Sequence, residues 1–315
     1  MSLRTGLLIL SNIRCAFQQG IRRCAMSTQT ASKEAQPEAM RPGQTHFGFQ
    51  VVNEDEKTKK VHEVFETVAE KYDLMNDVMS MGIHRVWKDI FMQRLAPRQE
   101  TKLLDMAGGT GDIAFRYIKY LQSLGPSHAA NSSVTVCDIN QAMLDVGKQR
   151  ALKLGYTPER CGVAIDWVCG DAEKLALPDD SFDAYTIAFG IRNCTHIDHV
   201  LEEAYRVLTP GGRFMCLEFS QLPNSTLQWV YDQYSFQVIP VLGQLFAGQW
   251  KPYQYLVESI RQFPNQVWKM YFYLMKLTKE QTSTQPHAGW TVASRRSVRT
   301  NMRALGDEII QETWN

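Results

Sequence analysis

A short run of glycines between two carboxylates is the strongest candidate for a ligand site in this sequence. Residues 105–112 read Asp-Met-Ala-Gly-Gly-Thr-Gly-Asp. Glycines let the backbone turn sharply and approach a ligand closely, and a helix that starts after such a turn offers free N–H groups to an anion. The residues of this run that we expect to bind a ligand are Asp105, Gly108, Gly109, Thr110 and Gly111.

The glycine spacing alone leaves the type of ligand open. Gly109-x-Gly111-x-x-Ala114 satisfies a dinucleotide-binding pattern, so a nicotinamide-dependent reductase is one interpretation. Asp105 and Asp112 argue against it, because their negative charges would lie close to the pyrophosphate. A ligand with cationic groups fits better. S-adenosylmethionine has an ammonium and a sulfonium, and its one anionic group is a carboxylate.

Two further acidic residues follow apolar runs that resemble strands. Asp138 ends the run Val-Thr-Val-Cys-Asp, where a carboxylate can accept hydrogen bonds from both ribose hydroxyls of a nucleoside. Asp171 and Ala172 follow the next run, where a carboxylate and a backbone N–H can receive an adenine ring. Each residue alone is more often a loop or cap residue. Together with the glycine run they predict a site for S-adenosylmethionine.

Short apolar runs alternate with helical patterns along the middle of the chain, which predicts a parallel sheet with helices on both faces. The predicted strands are 102–106, 133–138, 165–169, 182–189 and 213–219. The predicted helices between them are 112–124, 141–154 and 199–208, and two more helices, at 57–72 and from 83 to before Pro97, precede the first strand. We therefore expect a Rossmann-like, doubly wound α/β domain. In such sheets ligands bind beyond the carboxyl ends of the strands.

Composition and charge exclude several classes of function. Lys and Arg number 34 against 33 Asp and Glu, so nothing in the overall charge indicates a nucleic-acid partner. No run approaches the roughly 18 consecutive apolar residues of a membrane-spanning helix. The seven cysteines are scattered, and with no His at metal-ligand spacing we predict free thiols and no metal site.

The first residues differ from the rest. Five basic residues precede the first acidic residue, Glu34, and short apolar patches lie among them. An arginine-rich, acid-poor leader is typical of a mitochondrial transit peptide, although a disordered basic tail or a weak secretory signal has some of the same features. We assign 1–33 to the transit peptide, 34–44 to a linker, 45–264 to the folded domain and 265–315 to a tail.

Three segments resemble the ubiquinone and menaquinone biosynthesis C-methyltransferases. Residues 72–88, Tyr-Asp-Leu-Met-Asn-Asp-Val-Met-Ser-Met-Gly-Ile-His-Arg-Val-Trp-Lys, are similar to the family's first signature almost letter for letter. Residues 206–220 resemble its second signature, and Ala-Phe-Gly-Ile-Arg-Asn at 188–193 resembles its loop after strand four. The likeness extends from about Thr45 to Pro264.

This resemblance implies a fold of the S-adenosylmethionine-dependent methyltransferase type and C-methylation of 2-methoxy-6-polyprenyl-1,4-benzoquinol in ubiquinone biosynthesis. It also implies membership of a multienzyme ubiquinone-synthesis complex, with peripheral attachment to the matrix side of the inner membrane. An inactive structural member of that complex is the alternative. The residues that match the family's catalytic positions are Arg192, Asn193 and Tyr72.

Arg192 is suited to stabilise a phenolate or to polarise a water that removes the phenolic proton, but not to act as a base, because its guanidinium stays protonated. The alternative is a structural salt bridge. Glu218, at the end of the fifth strand, is either an ion-pair or cap residue or part of the pocket. His84 is a candidate base because the unperturbed pKa of a histidine lies near neutrality, but we expect it to pack structurally.

The C-terminal third is harder to interpret. Residues 227–260 are rich in aromatic side chains, which predicts either a packed helix pair or a helical lid that offers a polyprenyl channel or a membrane-facing surface. The family resemblance ends after Pro264. No strand pair is visible in 265–315, which indicates that the sheet lacks its last two strands, that strand five is an exposed edge, and that the tail is partly disordered.

Overall fold

The computed structural model describes residues 41–69, 76–77, 80, 82–219 and 224–263, and the backbone of 283–287 and 290–294. The chain divides into two units, one formed by Met1–Glu54 with Leu222–Gln262, and the other by Asp55–Gln221 with Phe263–Asn315. The predicted transit peptide and most of the predicted linker and tail lie outside the described residues.

The strands are β1 (Gln44–Phe47), β2 (Gln50–Asn53), β3 (Lys102–Met106), β4 (Ser133–Asp138), β5 (Ala164–Cys169), β6 (Phe182–Ala188), β7 (Leu208–Leu217), β8 (Ser283–His287) and β9 (Trp290–Ser294). The helices are α1 (Glu54–Val68), α2 (Ile83–Leu95), α3 (Asp112–Ser123), α4 (Pro126–Ala129), α5 (Gln141–Leu154), α6 (Pro158–Cys161), α7 (Ile197–Val207), α8 (Ser225–Gln237), α9 (Ile239–Ala247) and α10 (Lys251–Gln262). A 3-10 turn at Ile191–Asn193 follows β6.

The larger unit contains a seven-stranded sheet in the order β5-β4-β3-β6-β7-β9-β8. Strands β3 to β7 are mutually parallel, and the chain moves outward from β3 first in one direction and then in the other. The order therefore reverses between β3 and β6, the position where open α/β sheets bind their ligands.

Alternating side chains of the central strands supply both faces of the sheet with a core. Leu103 is fully buried in a cluster with residues of α2, α3 and α5, whereas its neighbour Leu104 is fully buried in a second cluster with residues of α7. This period of two is the geometry of a strand that is covered on both faces. The same alternation determines to which face of the sheet each site residue at a strand end points.

The observed elements confirm the predicted α/β alternation. The bounds of β3, β4 and α5 agree with the predicted bounds, and β5, β6, α2 and α3 differ from theirs by one or two residues at most. Strand β7 starts at Leu208 rather than at residue 213, because the Pro-Gly-Gly segment continues its pairing with β6 through an irregularity in the register.

The prediction that the sheet lacks its last two strands is wrong. Trp290–Ser294 pairs antiparallel with β7, from Arg213↔Ser294 to Leu217↔Trp290, and Ser283–His287 pairs with it in turn. Strand β7 is therefore not an exposed edge. Strand pairing uses backbone groups, so a polar segment can complete a sheet, and a proline is compatible with an edge strand such as β8.

The smaller unit joins the hairpin β1–β2 to helices α8, α9 and α10. Phe47 stacks on Tyr255 with ring centroids 4.1 Å apart, and the carboxylate of Glu258 accepts a hydrogen bond from the Phe49 N–H at 3.1 Å. Helices α9 and α10 approach closely where Gly243 faces the Tyr253 ring. A Cβ at position 243 would lie 2.0 Å from a ring carbon, so this approach requires a glycine.

The aromatic segment at 227–260 has both buried and solvent-exposed apolar side chains. Tyr253 and Tyr255 are buried, which agrees with a packed core, whereas several other apolar side chains are at least half exposed. These exposed side chains are Leu227, Trp229, Val230, Leu245 and Phe246. Within the described part of the chain, no helix has both the length and the apolar character needed to cross a membrane.

Candidate active site

The glycine run lies at the carboxyl end of β3 and leads into α3, as predicted. Gly111, with φ +82°, is the residue before α3. A Cβ at Gly108 would lie 2.9 Å from both the carbonyl oxygen and Oδ2 of Asp105. Only a glycine therefore lets the backbone pass so close to the Asp105 carboxylate. Thr110 is buried, and its hydroxyl accepts a hydrogen bond from Arg150 Nη1 at 2.8 Å.

Asp105 is fully buried at the end of β3. The Thr186 hydroxyl, on the neighbouring strand β6, donates a hydrogen bond to Asp105 Oδ1 at 3.0 Å. Asp105 Oδ2 makes no hydrogen bond within the described part of the chain. Burial in a low-dielectric environment raises the pKa of Asp105 to about 7, because it disfavours the charged form. This carboxyl group is an acceptor that a cationic ligand group could satisfy.

Asp138, at the end of β4, connects the second strand end to the glycine run. Its Oδ2 accepts a hydrogen bond from the Gly109 N–H at 2.9 Å, and its Oδ1 accepts one from the Asn140 N–H at 2.8 Å. Burial raises the pKa of Asp138 to about 6. The sequence predicted a carboxylate that receives ribose hydroxyls, and the structure adds that the same carboxylate fixes the loop.

The third strand end lies beside the second. The Gly170 N–H, one residue past β5, donates to the carbonyl of Asp138 at 3.0 Å. The next residue, Asp171, is exposed, and its Oδ1 accepts a hydrogen bond from the Glu173 N–H at 2.9 Å, whereas Ala172 is buried. The predicted adenosine-binding residues of β4 and β5 are thus neighbours at one edge of the sheet.

The negative charge of Asp112, which the sequence analysis placed near a dinucleotide pyrophosphate, is neutralised by two cations. Lys88 of α2 donates to Asp112 Oδ2 at 2.7 Å, and Arg116 pairs with the other carboxylate oxygen. These two cations hold the pKa of Asp112 well below its usual range, although burial acts in the opposite direction. Asp112 therefore repels a pyrophosphate less than the sequence suggested. The carboxyl group of Asp105 is the main feature of the loop that disfavours a dinucleotide.

Arg192 lies in the 3-10 turn after β6 and is 7% exposed. Its Nη1 donates to Glu218 Oε1 at 2.8 Å and to the carbonyl of Phe189 at 2.6 Å. Glu218 follows β7, and its side chain is fully buried. The salt bridge weighed as the structural alternative for Arg192 is present, and it accounts for Glu218 as an ion-pair residue. Because a guanidinium has five N–H donors, this pairing orients Arg192 without excluding a further role.

The turn that carries Arg192 packs against the start of the glycine run. A Cβ at Gly190 would lie 2.4 Å from the Ala107 Cβ, so the two loops can approach this closely only because residue 190 is a glycine. The Asn193 N–H closes the turn by donating to the Gly190 carbonyl at 3.0 Å. Tyr72, the third predicted catalytic residue, lies outside the described residues.

The histidines near these loops have structural partners. His84 is buried, and its Nε2 lies 2.9 Å from Asp77 Oδ1, which agrees with the expected packing role. Burial is the main cause that lowers the pKa of His84. Glu173 accepts hydrogen bonds from the backbone N–H groups of Thr195 and His196, and its other oxygen lies 2.8 Å from His196 Nδ1.

The sequence did not predict that Glu173, His196 and His199 would meet. Their possible ligand atoms lie within 4.8 Å of one another, a grouping that could hold a metal ion. The hydrogen bonds of Glu173 explain its position without an ion. His196 and His199 alone do not indicate a metal site in the sequence, because the third member of the group, Glu173, comes from a different loop.

Comparison with known proteins places the chain among methyltransferases. The ubiE/COQ5 methyltransferase family matches residues 52–278. A Drosophila melanogaster protein named mitochondrial 2-methoxy-6-polyprenyl-1,4-benzoquinol methylase is 64% identical over 252 residues, which cover 76% of this chain and 83% of that protein. The Homo sapiens protein of the same name is 56% identical over 252 residues, covering 72% and 76% of the two chains.

Proposed function

The chain belongs to the ubiE/COQ5 methyltransferase family, and from this premise we propose that it transfers the methyl group of S-adenosylmethionine to a ring carbon of 2-methoxy-6-polyprenyl-1,4-benzoquinol in ubiquinone biosynthesis. The observation that carries the proposal is the contact between the strand ends of β3 and β4. The buried Asp105 carboxyl, the glycine run and Asp138 form one continuous structure there. Relatives named for this reaction support the choice of acceptor.

The described residues fit S-adenosylmethionine better than a dinucleotide. Asp105 Oδ2 is a buried acceptor with no hydrogen bond in the described part of the chain, which suits an ammonium group, directly or through a water, and opposes a pyrophosphate. Asp138 can receive ribose hydroxyls, and Asp171 with the Ala172 N–H can receive the adenine ring. When bound, the cofactor supplies an electrophilic methyl group on its sulfonium.

The remaining chemistry has to make the acceptor ring electron-rich, which requires loss of a phenolic proton. With a phenol pKa near 10, deprotonation at neutral pH costs roughly 3–4 kcal/mol. The Arg192 guanidinium is the group we assign to offset this cost. Its pair with Glu218 is neutral overall, so the stabilisation comes from N–H donors aimed at the phenolic oxygen or at a bound water.

Asn193 and Tyr72 are proposed to hold the ring, as the family resemblance implies. Asn193 is in the same 3-10 turn as Arg192, so the two residues are presented together. Orienting the ring carbon in line with the methyl group is the second contribution of the site, because a misplacement of about 1 Å can reduce a rate by roughly 100-fold.

We also assign the chain to the mitochondrion, on the matrix side of the inner membrane, as a peripheral member of a multienzyme ubiquinone-synthesis complex. The Arg-rich leader and the mitochondrial names of the relatives support the compartment. Attachment to the membrane and to the complex is supported by the family resemblance, and the exposed apolar side chains of α8 and α9 offer one possible contact surface.

The test combines calorimetry with a methyl-transfer assay. Purified chain is titrated with S-adenosylmethionine and with NADH, then incubated with S-adenosylmethionine and a short-tailed 2-methoxy-6-prenyl-1,4-benzoquinol under reducing conditions. We expect cofactor binding and a product heavier by one methyl group on a ring carbon. Cofactor binding without turnover would favour an inactive structural member of the complex. Tight binding of NADH alone would favour a reductase.

A further inference from the structure

Lys57 of α1 is a buried lysine whose ammonium lies at the end of the Arg192 turn. The residue is 6% exposed, and its Nζ donates a hydrogen bond to the carbonyl of Cys194 at 2.8 Å. Lysines are almost never this buried unless their charge has a specific partner, because desolvation of an ammonium is unfavourable. Lys57 and Cys194 are 137 positions apart in the sequence, so this contact depends on the tertiary fold.

A second lysine of the same helix, Lys60, has the usual environment of a lysine, an ion pair at the surface. Lys60, three residues later, forms an i,i+4 pair with Glu56, and its side chain is 31% exposed. Such exposed ion pairs contribute little to the free energy of unfolding. Lys57 instead directs its charge into the protein, where a charge-assisted hydrogen bond to a carbonyl is stronger than a neutral one.

The segment that Lys57 contacts is held from two other directions by charged side chains. Glu218, after β7, pairs with Arg192, and Glu173, after β5, accepts hydrogen bonds from the N–H groups of Thr195 and His196. The Cys194 carbonyl lies between these two attachments. The hydrogen bond from Lys57 is therefore a third attachment of this segment, and it comes from helix α1.

We infer that Lys57 is a positioning residue for methyl transfer, whose ammonium holds the Cys194 carbonyl and thereby the turn that presents Arg192 and Asn193. This inference rests on the proposed function of that turn. Lys57 acts through Arg192 and does not touch the reacting atoms. The physical reason is geometric, since a small displacement of an oriented charge in a catalytic site lowers the rate strongly.

The first test is hydrogen exchange, which does not depend on activity. In Lys57→Met, the N–H groups of Asn193 and Cys194, which donate to Gly190 and Ile191, should exchange at least about 10-fold faster than in the unchanged chain. The matched control Lys60→Met should leave their exchange unchanged. Equal protection in both variants would overturn the inference. If Lys57→Met does not fold, Lys57→Gln, which keeps a donor without the charge, takes its place.

The second test is kinetic. Lys57→Met should lower kcat by about 10-fold or more and leave the Kd for S-adenosylmethionine within 3-fold, whereas Lys60→Met should change neither. In an Arg192→Ala background, Lys57→Met should change kcat less than about 3-fold, because the two residues act in one pathway. Fully additive losses would overturn the inference. Absence of quinol methylation by the unchanged chain would instead refute the proposed function, and the exchange result would still decide the role of Lys57.

Discussion

The buried ion pair between Arg192 and Glu218 allows a quantitative prediction. Glu218→Gln keeps the shape of the side chain but removes the carboxylate that faces the guanidinium at 2.8 Å. At an effective dielectric constant of about 20, the attraction between two unit charges at that distance is on the order of 6 kcal/mol. A neutral hydrogen bond worth about 1 kcal/mol can remain. After relaxation, we expect the free energy of unfolding to fall by about 3–5 kcal/mol.

The assay is urea unfolding at neutral pH without cofactor, with the slope of the transition checked for equality between variants. Glu56→Gln is the control, because Glu56 pairs with Lys60 at the surface and its loss should cost less than about 1 kcal/mol. Replacing Arg192 and Glu218 together by methionine should cost less than Glu218→Gln alone, because no unpaired charge then remains buried. A loss below about 1 kcal/mol for Glu218→Gln would refute the reasoning.

The remaining predictions concern the cofactor site. Asp138→Ala should weaken S-adenosylmethionine binding by about 1.5–3 kcal/mol, and unchanged affinity in calorimetry would remove the end of β4 from the site. The affinity should rise as the pH passes upward through about 7, because the pKa of Asp105 is raised to about 7 and a cationic ligand prefers its ionised form. The same raised pKa means that the folded chain holds this proton more tightly than the unfolded chain, so without cofactor Asp105 should lower stability as the pH rises from about 4 to 7. Asp105→Asn should flatten both profiles, and a pH dependence that persists in this variant would assign it to another group. Gly108→Ala should lower the free energy of unfolding by about 1–3 kcal/mol, measured by urea titration, because the new Cβ would lie 2.7 Å from a Val136 methyl group; an unchanged midpoint would show that the loop can yield.

The central strands were predictable because their signal is local. Strands β3 and β4 are short apolar runs that end in a carboxylate, and their bounds agree with the sequence prediction. The glycine run between β3 and α3 can be recognised from its residue types alone. The prediction that parallel strand ends would meet then placed Asp105 and Asp138 at one edge of the sheet.

The ion pairs could not be predicted in the same way. Lys88 and Asp112 are 24 positions apart, and Arg192 and Glu218 are 26 apart. Each pair forms only because the tertiary structure brings together two helices, for Lys88 and Asp112, or two loops, for Arg192 and Glu218. The sequence gives the residue types, but the partner of each charge follows from the tertiary structure.

The last strand pair was missed for a different reason. Ser-Thr-Gln-Pro-His and Trp-Thr-Val-Ala-Ser lack the apolar run that marked β3 and β4. Strands near the margin of a sheet are stabilised mainly by backbone pairing with their neighbours, here β9 with β7 and β8 with β9, so residue type carries little information. Thr, Val and Trp favour extended backbone, but this weak signal did not identify the pair.

One measurement tests the central claim, that the Arg192 turn and the carboxylate-lined loop form a single methyl-transfer site. Unchanged chain and Arg192→Ala are compared with S-adenosylmethionine that carries a deuterated methyl group and a short-tailed 2-methoxy-6-prenyl-1,4-benzoquinol. The transfer rate is followed by mass spectrometry and the cofactor Kd by calorimetry. We expect deuterated methyl on a ring carbon. The transfer rate of the variant should be lower by about 100-fold or more, and its Kd for the cofactor should stay within a few-fold of the original value. Equal loss of cofactor binding and turnover in Arg192→Ala, or no ring-methylated product from the unchanged chain, would contradict the claim.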